Sequence, residues 1–363
     1  MKPDILINLM IPMTNPIKLT IRERIQETPD TITLRFEETF DELPYKSGQF
    51  LTVMVSIDQE EYRREYSFSS SPQTDKNLSI CVKRVTGGKV SNYLHDVVKT
   101  GDILNVFPAA GLFSPILNIS NKRTLVFIAG GSGITPIFSM IKSVLAIEQQ
   151  SKVYLLYANR TENDIIFKST FESLQTTFSG RFNHLNVLSQ ASEKWYGLTG
   201  RLDQDTIIDY LEQLPVIFPK EANYYICAPT GLIKAAQQAL TILKVPAANI
   251  HKENFGSSNN QEINPTNTGN EIIDRTVKVK YKGIIHSIFV ASGKSILKSA
   301  LEENIRLPFS CEKGVCTACL GTCKTGKVEM KGNDALSQNE LDKGYILTCI
   351  GKPVSDDVFI DLD

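Results

Sequence analysis

Two rhythms of apolar residues divide most of the chain. Between residues 17 and about 114, short alternating runs such as TITLRFE, QFLTVMV and LSICVKRV are separated by turn signals such as PYKSGQ and VTGG. This even spacing predicts an antiparallel β-barrel, interrupted by one helix at VSNYLHDVV. From about residue 122, the buried strands LVFIA, KVYLLYA and NYYICA alternate with helical periods. That alternation predicts a doubly wound α/β domain with a parallel sheet.

A polar segment sets off the C-terminal quarter. GSSNNQEINPTNTGNE is almost without apolar residues and is the clearest linker in the chain. After it, two short strands (TVKVKY and HSIFV) are combined with a helix at SILKSALEEN and a final strand at DVFIDLD. The predicted organisation is a leader at 1–16, a barrel at 17–117, an α/β domain at 118–256, a linker at 257–271 and a third domain at 272–363.

Composition excludes several function classes. The chain is 42% hydrophobic and 22% charged, with a net charge of −1, so it has no electrostatic reason to bind nucleic acid or a membrane surface. No apolar run reaches the roughly 18–20 residues of a membrane span, and the N-terminus does not read as a signal peptide. We therefore expect a soluble cytoplasmic protein with neither nucleic acid nor membrane as a partner.

Cysteine spacing is the strongest chemical signal. Four of the seven cysteines lie within residues 311–323, and another follows in LTCIG. The pattern C-x4-C-x2-C followed by a distant Cys matches plant-type [2Fe–2S] ferredoxins, in which four thiolates hold two irons. A structural zinc site is the alternative, but it typically uses paired C-x2-C motifs and here there is only one. Cys323 is predicted to be a core residue. The predicted ligands are Cys311, Cys316, Cys319 and Cys349.

A four-residue motif in the barrel segment points to a flavin. Arg64-Glu65-Tyr66-Ser67 resembles the R-x-Y-S signature of the ferredoxin–NADP reductase superfamily, and the resemblance continues through GQF, GGKVS and PAAGLF. It implies that FAD is bound with Arg64 at the pyrophosphate, Tyr66 stacked on the isoalloxazine and Ser67 near N5. A guanidinium fork suits a diphosphate, and a Tyr face suits a flat ring. Further candidates for FAD binding are Lys83, Gly88, Val90 and Ser91.

A glycine-rich turn points to a nicotinamide cofactor. In LVFIAGGSGITPI, Gly131 and Gly133 allow close approach of phosphates, and Pro136 fits the first turn of a helix. The segment is similar to the GGSGITP of the same superfamily, which implies an NADPH or NADH site with Thr135 near its junction with the flavin. Arg160, after the next strand, is a candidate for reading a 2′-phosphate, which favours NADPH. A solvated surface charge is the alternative for Arg160.

Two further motifs extend the resemblance. Cys227-Ala228-Pro229 resembles the superfamily's CGP and implies that Cys227 lies beside the nicotinamide, although Ala replaces the usual Gly. ENFG resembles the end of this domain, with Phe255 near the flavin or in the core. Tyr66, Ser67 and Cys227 are therefore the candidate catalytic residues.

The order of the domains resembles that of oxygenase reductases, including the reductase subunit of phenylacetyl-CoA epoxidase. The resemblance implies a β-grasp, α+β ferredoxin domain at the C-terminus. It also implies an NAD(P)H-dependent enzyme that passes electrons through FAD and the [2Fe–2S] cluster to a terminal oxygenase. Two alternatives remain: a reductase for another acceptor, such as a hybrid-cluster protein, and a non-catalytic electron-transfer subunit of a permanent complex. The polar linker favours transient partners. Three residues of the loop from Cys311 to Cys319, the cluster loop, are expected to contact them: Val315, Thr317 and Ala318.

Overall fold

A computed structural model describes residues 16–214, 219–255 and 273–363. The predicted leader, apart from Pro16, and the predicted linker at 257–271 lie outside these ranges. Within them, no helix is both long and apolar enough to cross a bilayer.

The N-terminal part forms an antiparallel sheet of six strands in the order β4-β3-β6-β1-β2-β5. A bridge between Phe68 and Ile80 joins the two ends of the sheet, as expected for a barrel. Alternate residues such as Leu51 and Val53 of β3 fill its core, as the period of two predicts. The elements are β1 (Ile17–Thr28), β2 (Thr31–Thr39), β3 (Phe50–Ile57), β4 (Glu60–Ser67), β5 (Asn77–Lys83), α1 (Lys89–Asp96) and β6 (Ile103–Ala110).

The second domain has a parallel sheet in the order β10-β9-β8-β7-β11-β12. Successive side chains of β7 pack into hydrophobic cores on opposite faces of the sheet: Phe127 belongs to one cluster and Ile128 to another. Both faces are therefore covered by helices, as in a doubly wound fold. The elements are β7 (Thr124–Gly130), α2 (Ile134–Ile147), β8 (Lys152–Asn159), α3 (Lys168–Thr177), β9 (Phe182–Leu188), β10 (Leu198–Thr199), α4 (Gln204–Gln213), β11 (Asn223–Cys227), α5 (Thr230–Ile242) and β12 (Ile250–Glu253).

The third domain is a mixed α+β unit. Its main sheet has the order β14-β13-β19-β15-β17, with β13 and β19 parallel, and β16 pairs with β18. Helix α6 buries Ile296, Leu297 and Ala300 in the same core as the strands. The elements are β13 (Arg275–Tyr281), β14 (Ile284–Val290), α6 (Ile296–Glu302), β15 (Leu320–Thr325), β16 (Val328–Met330), α7 (Gln338–Asp342), β17 (Tyr345–Leu347), β18 (Gly351–Pro353) and β19 (Phe359–Asp361).

Direct side-chain contacts join the barrel to the α/β domain. Ser71 and Ser143 are hydrogen-bonded through their hydroxyls at 2.8 Å, and the Lys142 ammonium is 2.6 Å from the Asp75 carboxylate. These contacts hold the second half of α2 against the barrel. The first residue of α2 lies at the carboxyl end of the parallel sheet, where ligands of open α/β sheets bind.

Candidate redox site

A cavity of about 400 Å³ lies where the three domains meet. The barrel contributes Tyr66, Ser67 and Lys83 to its lining, and the glycine-rich turn contributes Thr135. Phe255, at the end of the α/β domain, and Cys316, from the cluster loop, complete this set. Residues predicted separately for the flavin, the nicotinamide and the cluster therefore line one space.

Tyr66 and Ser67 end β4 inside this cavity. Burial raises the pKa of Tyr66, so its hydroxyl stays protonated. The Ser67 hydroxyl is buried and has no hydrogen-bond partner among the described residues. A buried hydroxyl without a partner is uncommon in native proteins. An aromatic ring beside an unsatisfied hydroxyl is the lining that a flavin ring system with polar edges requires, so these residues fit FAD.

The residues predicted to bind the pyrophosphate are outside this cavity, with the exception of Lys83. Arg64 is exposed and donates a hydrogen bond to the Arg63 carbonyl at 2.6 Å. Ser91 accepts a hydrogen bond from the Val85 amide at 3.1 Å. Val90 is buried in the barrel core beside it, and Gly88 precedes helix α1. Lys83 lines the cavity but is also paired with Asp30 at 3.2 Å.

The glycine-rich turn packs directly on the end of β11. Gly131 has φ +53°, and the Tyr157 hydroxyl donates a hydrogen bond to its carbonyl at 3.0 Å. A Cβ on Gly133 would lie 2.0 Å from the carbonyl oxygen of Cys227. The turn can therefore approach β11 only because glycine has no side chain. Tyr157 is a supporting residue that sequence reasoning missed, because its strand reads simply as apolar.

The helix that follows the turn begins with buried residues. Thr135 donates a hydrogen bond to the Ser132 carbonyl at 2.9 Å, which holds the turn closed. Pro136 lies in the first turn of α2, where its missing N–H costs no hydrogen bond. Cys227 is fully buried, and burial raises the pKa of its thiol well above the ordinary value. Cys227 therefore stays a neutral thiol at the end of β11.

Arg160 directly follows β8 and is exposed. It forms no ion pair within the described ranges. Glu162, the nearby acid, accepts hydrogen bonds from the Ser192 amide at 3.0 Å and hydroxyl at 2.6 Å. The carboxylate is therefore engaged with another loop, while the guanidinium remains at the carboxyl end of the sheet.

The four predicted cluster cysteines converge. The sulfurs of Cys311 and Cys316 are 3.1 Å apart, and Cys349 is hydrogen-bonded to both Cys311 and Cys319. Hydrogen bonds from the neighbouring thiols lower the pKa of Cys311 and Cys319, which accept them. The same hydrogen bonds raise the pKa of Cys316 and Cys349, which donate them. The Cys323 sulfur is directed instead to the Thr325 carbonyl at 3.2 Å.

The backbone of the loop suits a negatively charged group. The amides of Lys313 and Val315 are directed to the Cys311 sulfur, the former at 3.4 Å, and the Ala318 amide to that of Cys316. Gly314 has φ +73°, and a Cβ there would lie 2.9 Å from the Gly332 carbonyl oxygen. Successive amides around a glycine form an anion-binding concavity. With four soft thiol donors, the loop fits a [2Fe–2S] cluster.

Two acids that sequence reasoning missed lie beside these groups. Glu65, between Arg64 and Tyr66, has a carboxylate oxygen within 4.8 Å of the sulfurs of Cys311 and Cys316. Glu253, at the end of β12, lines the same cavity. Burial, assisted by the Glu65 carboxylate, raises the pKa of Glu253 to about 8. Glu65 lies at the variable position of the R-x-Y-S motif, and Glu253 begins the ENFG motif. Each motif was recognised by its other residues, so neither carboxylate was singled out.

The orientation of the cluster loop differs from the expected one. Val315 lines the cavity of Tyr66 and Ser67, which we call the flavin cavity. Thr317 faces a second cleft that is shared with His251 of the α/β domain. Ala318 lines a third cavity, between the barrel and the ferredoxin domain. The residues expected to meet a partner protein therefore face the chain's own domains, because the loop is turned toward the flavin cavity.

Comparison with protein families agrees with this division. Residues 16–114 match the oxidoreductase FAD-binding domain. Residues 127–238 match the oxidoreductase NAD-binding domain. Residues 280–354 match the 2Fe-2S iron-sulfur cluster binding domain.

Relatives and solved structures match almost the whole chain. The ferredoxin reductase component of 3-ketosteroid-9-alpha-monooxygenase from Rhodococcus rhodochrous is 32% identical, over 94% of this chain and 96% of its own. A subunit of 1,2-phenylacetyl-CoA epoxidase from Escherichia coli is 31% identical, over 97% and 99%. Phthalate dioxygenase reductase, at 22% identity, shares the fold with a TM-score of 0.56 over 96% of this chain and 98% of its own. The chain belongs to the family of oxidoreductases that join an FAD-binding, an NAD-binding and a 2Fe-2S cluster-binding domain, as the ferredoxin reductase components of oxygenases do.

Proposed function

We propose that this chain is the reductase subunit of a multicomponent oxygenase and delivers electrons from NAD(P)H to that partner. The observation that carries the proposal is the cavity that Tyr66, Thr135 and Cys316 line together, one residue from each domain. When bound, FAD accepts a hydride and the cluster passes single electrons on, which is chemistry that the cofactors supply. The relatives named above serve oxygenases, and this supports the choice of acceptor.

The chain's own residues bind and orient these groups. We assign the Tyr66 ring to the isoalloxazine face and the buried Ser67 hydroxyl to a hydrogen bond at its polar edge. Cys227 is a fully buried, neutral thiol at the end of β11, so it adds no charge next to the proposed nicotinamide site. The exposed Arg64 and the start of α1, with Gly88, are proposed to hold the pyrophosphate.

The cluster ligands, the domain boundaries and the cellular location are the remaining parts of the proposal. The four convergent cysteines at positions 311, 316, 319 and 349 are proposed to be the cluster ligands. The proposed domain boundaries are 17–117, 118–256 and 272–363. The clustered spacing of the cysteines is more typical of an intracellular metal site than of a disulfide framework, which favours the cytoplasm as the location. The net charge of −1 gives no reason to expect nucleic acid as a partner.

We further propose NADPH as the preferred cofactor, because Arg160 is exposed at the end of β8 and Glu162 is hydrogen-bonded elsewhere. Arg160→Ala should raise the Michaelis constant for NADPH and leave that for NADH nearly unchanged, since only NADPH has a 2′-phosphate. Steady-state reduction of ferricyanide with each cofactor measures both constants. Equal changes with the two cofactors would remove Arg160 from this role.

The acceptor is tested by reconstitution. The purified holoprotein should support NAD(P)H-dependent product formation when it is mixed with purified oxygenase components encoded beside it, and it should separate from them on gel filtration. A Cys316→Ser variant, mixed in the same way, should not support product formation. Co-purification in fixed stoichiometry, without turnover on mixing, would instead indicate a subunit of a permanent complex.

A further inference from the structure

The outer face of the barrel beside the flavin cavity is covered by the ferredoxin domain. Arg63 and Glu65 of β4 lie on the same face, because side chains alternate along a strand. The register pairs Glu65 with Thr52, and Thr52 with Phe107, across β4, β3 and β6. By position, this face would be exposed to solvent in an isolated barrel.

Arg63 lies between two aromatic rings that belong to different domains. Its guanidinium carbon is 4.6 Å from the ring centre of Phe107, in the barrel, and 4.3 Å from that of Phe309, in the ferredoxin domain. Its Nε is 2.8 Å from a Glu61 carboxylate oxygen, which orients the guanidinium, and its side chain is only 21% exposed. A planar guanidinium stacks on aromatic faces in a way that an ammonium does not.

The position of Phe309 connects this stack to the redox centre. Phe309 precedes the ligand Cys311 by two residues, so holding its ring also holds the start of the cluster loop. The other side of that loop carries Cys316, which faces the flavin cavity together with Tyr66. Contact between Phe309 and the barrel therefore helps to hold the cysteine loop at the cavity that Tyr66 lines.

The rest of this interface is loosely filled. A cavity of about 320 Å³ remains between the barrel and the segment Arg306–Phe309, next to the stacked arginine. Tight, permanent interfaces are packed as densely as protein cores. An interface with an unfilled space of this size is packed less densely than a core, so the stacked arginine should contribute a measurable share of the docking free energy.

We propose that Arg63 is a positioning residue that docks the ferredoxin domain on the barrel in the arrangement for electron transfer. The inference rests on the proposed reductase function, but the docking contact itself requires neither an oxygenase nor NAD(P)H. Removing the stack should shift the equilibrium toward undocked states. A lost cation–π contact that is partly shielded from water corresponds to a roughly fivefold change in that equilibrium.

Hydrogen exchange of the full holoprotein measures docking directly. Arg63→Ala should lower amide protection roughly fivefold in peptides that cover residues 60–67 and 305–312. Arg63→Lys should lose nearly as much protection, because an ammonium keeps the charge but not the planar stack. Arg22→Ala, an exposed arginine on β1 of the same barrel, is the matched control and should leave both peptides unchanged.

Stopped-flow kinetics then separates positioning from flavin binding. In Arg63→Ala, reduction of the flavin by NAD(P)H should keep its rate, while flavin-to-cluster transfer slows in proportion to the loss of the docked fraction. Phe309→Leu, checked for unchanged iron content, should reduce the effect of Arg63→Ala by at least half, because both changes remove one contact. Unchanged exchange, or an undiminished Arg63→Ala effect in the Phe309→Leu background, would overturn the proposal. Failure to reduce an oxygenase would not affect these measurements.

Discussion

Replacing Gly133 with alanine tests the contact between the glycine-rich turn and the end of β11. The added Cβ would lie 2.0 Å from the carbonyl oxygen of Cys227 and 2.5 Å from its carbonyl carbon. Both atoms belong to the backbone of a buried strand, so no flexible side chain can move aside. An ordinary carbon–oxygen contact requires more than about 1 Å of additional separation, which the turn can gain only by moving away from β11.

The expected change in the free energy of unfolding can be compared for three glycines of the same domain. Overpacking at Gly133 should destabilise the α/β domain by roughly 1–3 kcal/mol. A Cβ on Gly231, in the first turn of helix α5, meets no atom within 4 Å, so Gly231→Ala should stabilise the domain by roughly 0.4–1 kcal/mol by restricting the unfolded chain. A Cβ on Gly131 would also meet no atom within 4 Å, but its φ of +53° is unfavourable for residues with a side chain. Gly131→Ala should therefore destabilise the domain by roughly 1–2 kcal/mol.

Urea unfolding followed by tryptophan fluorescence isolates this domain. Trp195 is the chain's single tryptophan, and it packs against the core of the α/β sheet. Its signal therefore reports this domain even if the three domains unfold separately. The Michaelis constant for NAD(P)H should also rise in Gly133→Ala, because the glycine-rich turn is predicted to approach the phosphates of the cofactor. If Gly133→Ala unfolded at the same urea concentration as Gly231→Ala, the close approach of turn and strand would be wrong.

Three further changes test the rest of the site. Cys316→Ser should remove iron, measured by a colorimetric assay, while hydride transfer to FAD continues because the flavin is held by another domain; loss of flavin reduction in folded protein would contradict this. Arg64→Ala should weaken FAD binding by roughly 1.5–3 kcal/mol, and unchanged affinity in rebinding titrations would remove Arg64 from the site. The free energy of unfolding of Glu253→Gln, relative to that of the unmutated chain, should rise as the pH increases from about 4.5 to 8. Over that range the native protein keeps Glu253 protonated, whereas its unfolded chain ionises it, because burial raises the native pKa to about 8. The gap in unfolding free energy should reach on the order of 4 kcal/mol, and a constant gap would show that Glu253 is not buried as an acid.

Local patterns were sufficient to predict the three domains. The alternation in TITLRFE and QFLTVMV corresponds to β2 and β3, and LVFIAGGSGITP to β7, its turn and the start of α2. These segments are predictable because the period of apolar residues and the positions of Gly and Pro act within about ten residues. The spacing of the cluster cysteines is local for the same reason, apart from Cys349. The roles of Arg64 and Arg160 stay predictions.

Only the tertiary structure decided how the domains face one another. The loop residues Val315 and Thr317, expected at a partner surface, are turned toward the flavin cavity and the α/β domain. Arg63 belongs to none of the recognised motifs, and its partner Phe309 is 246 residues away in sequence. Likewise, the raised pKa of Glu253 depends on burial and on Glu65, which the chain reaches only by folding. Periodicity and motif spacing determine which elements form and which cofactor chemistry each carries. Long-range packing determines which of their side chains share one low-dielectric space, because that depends on contacts between segments with no local sequence signal.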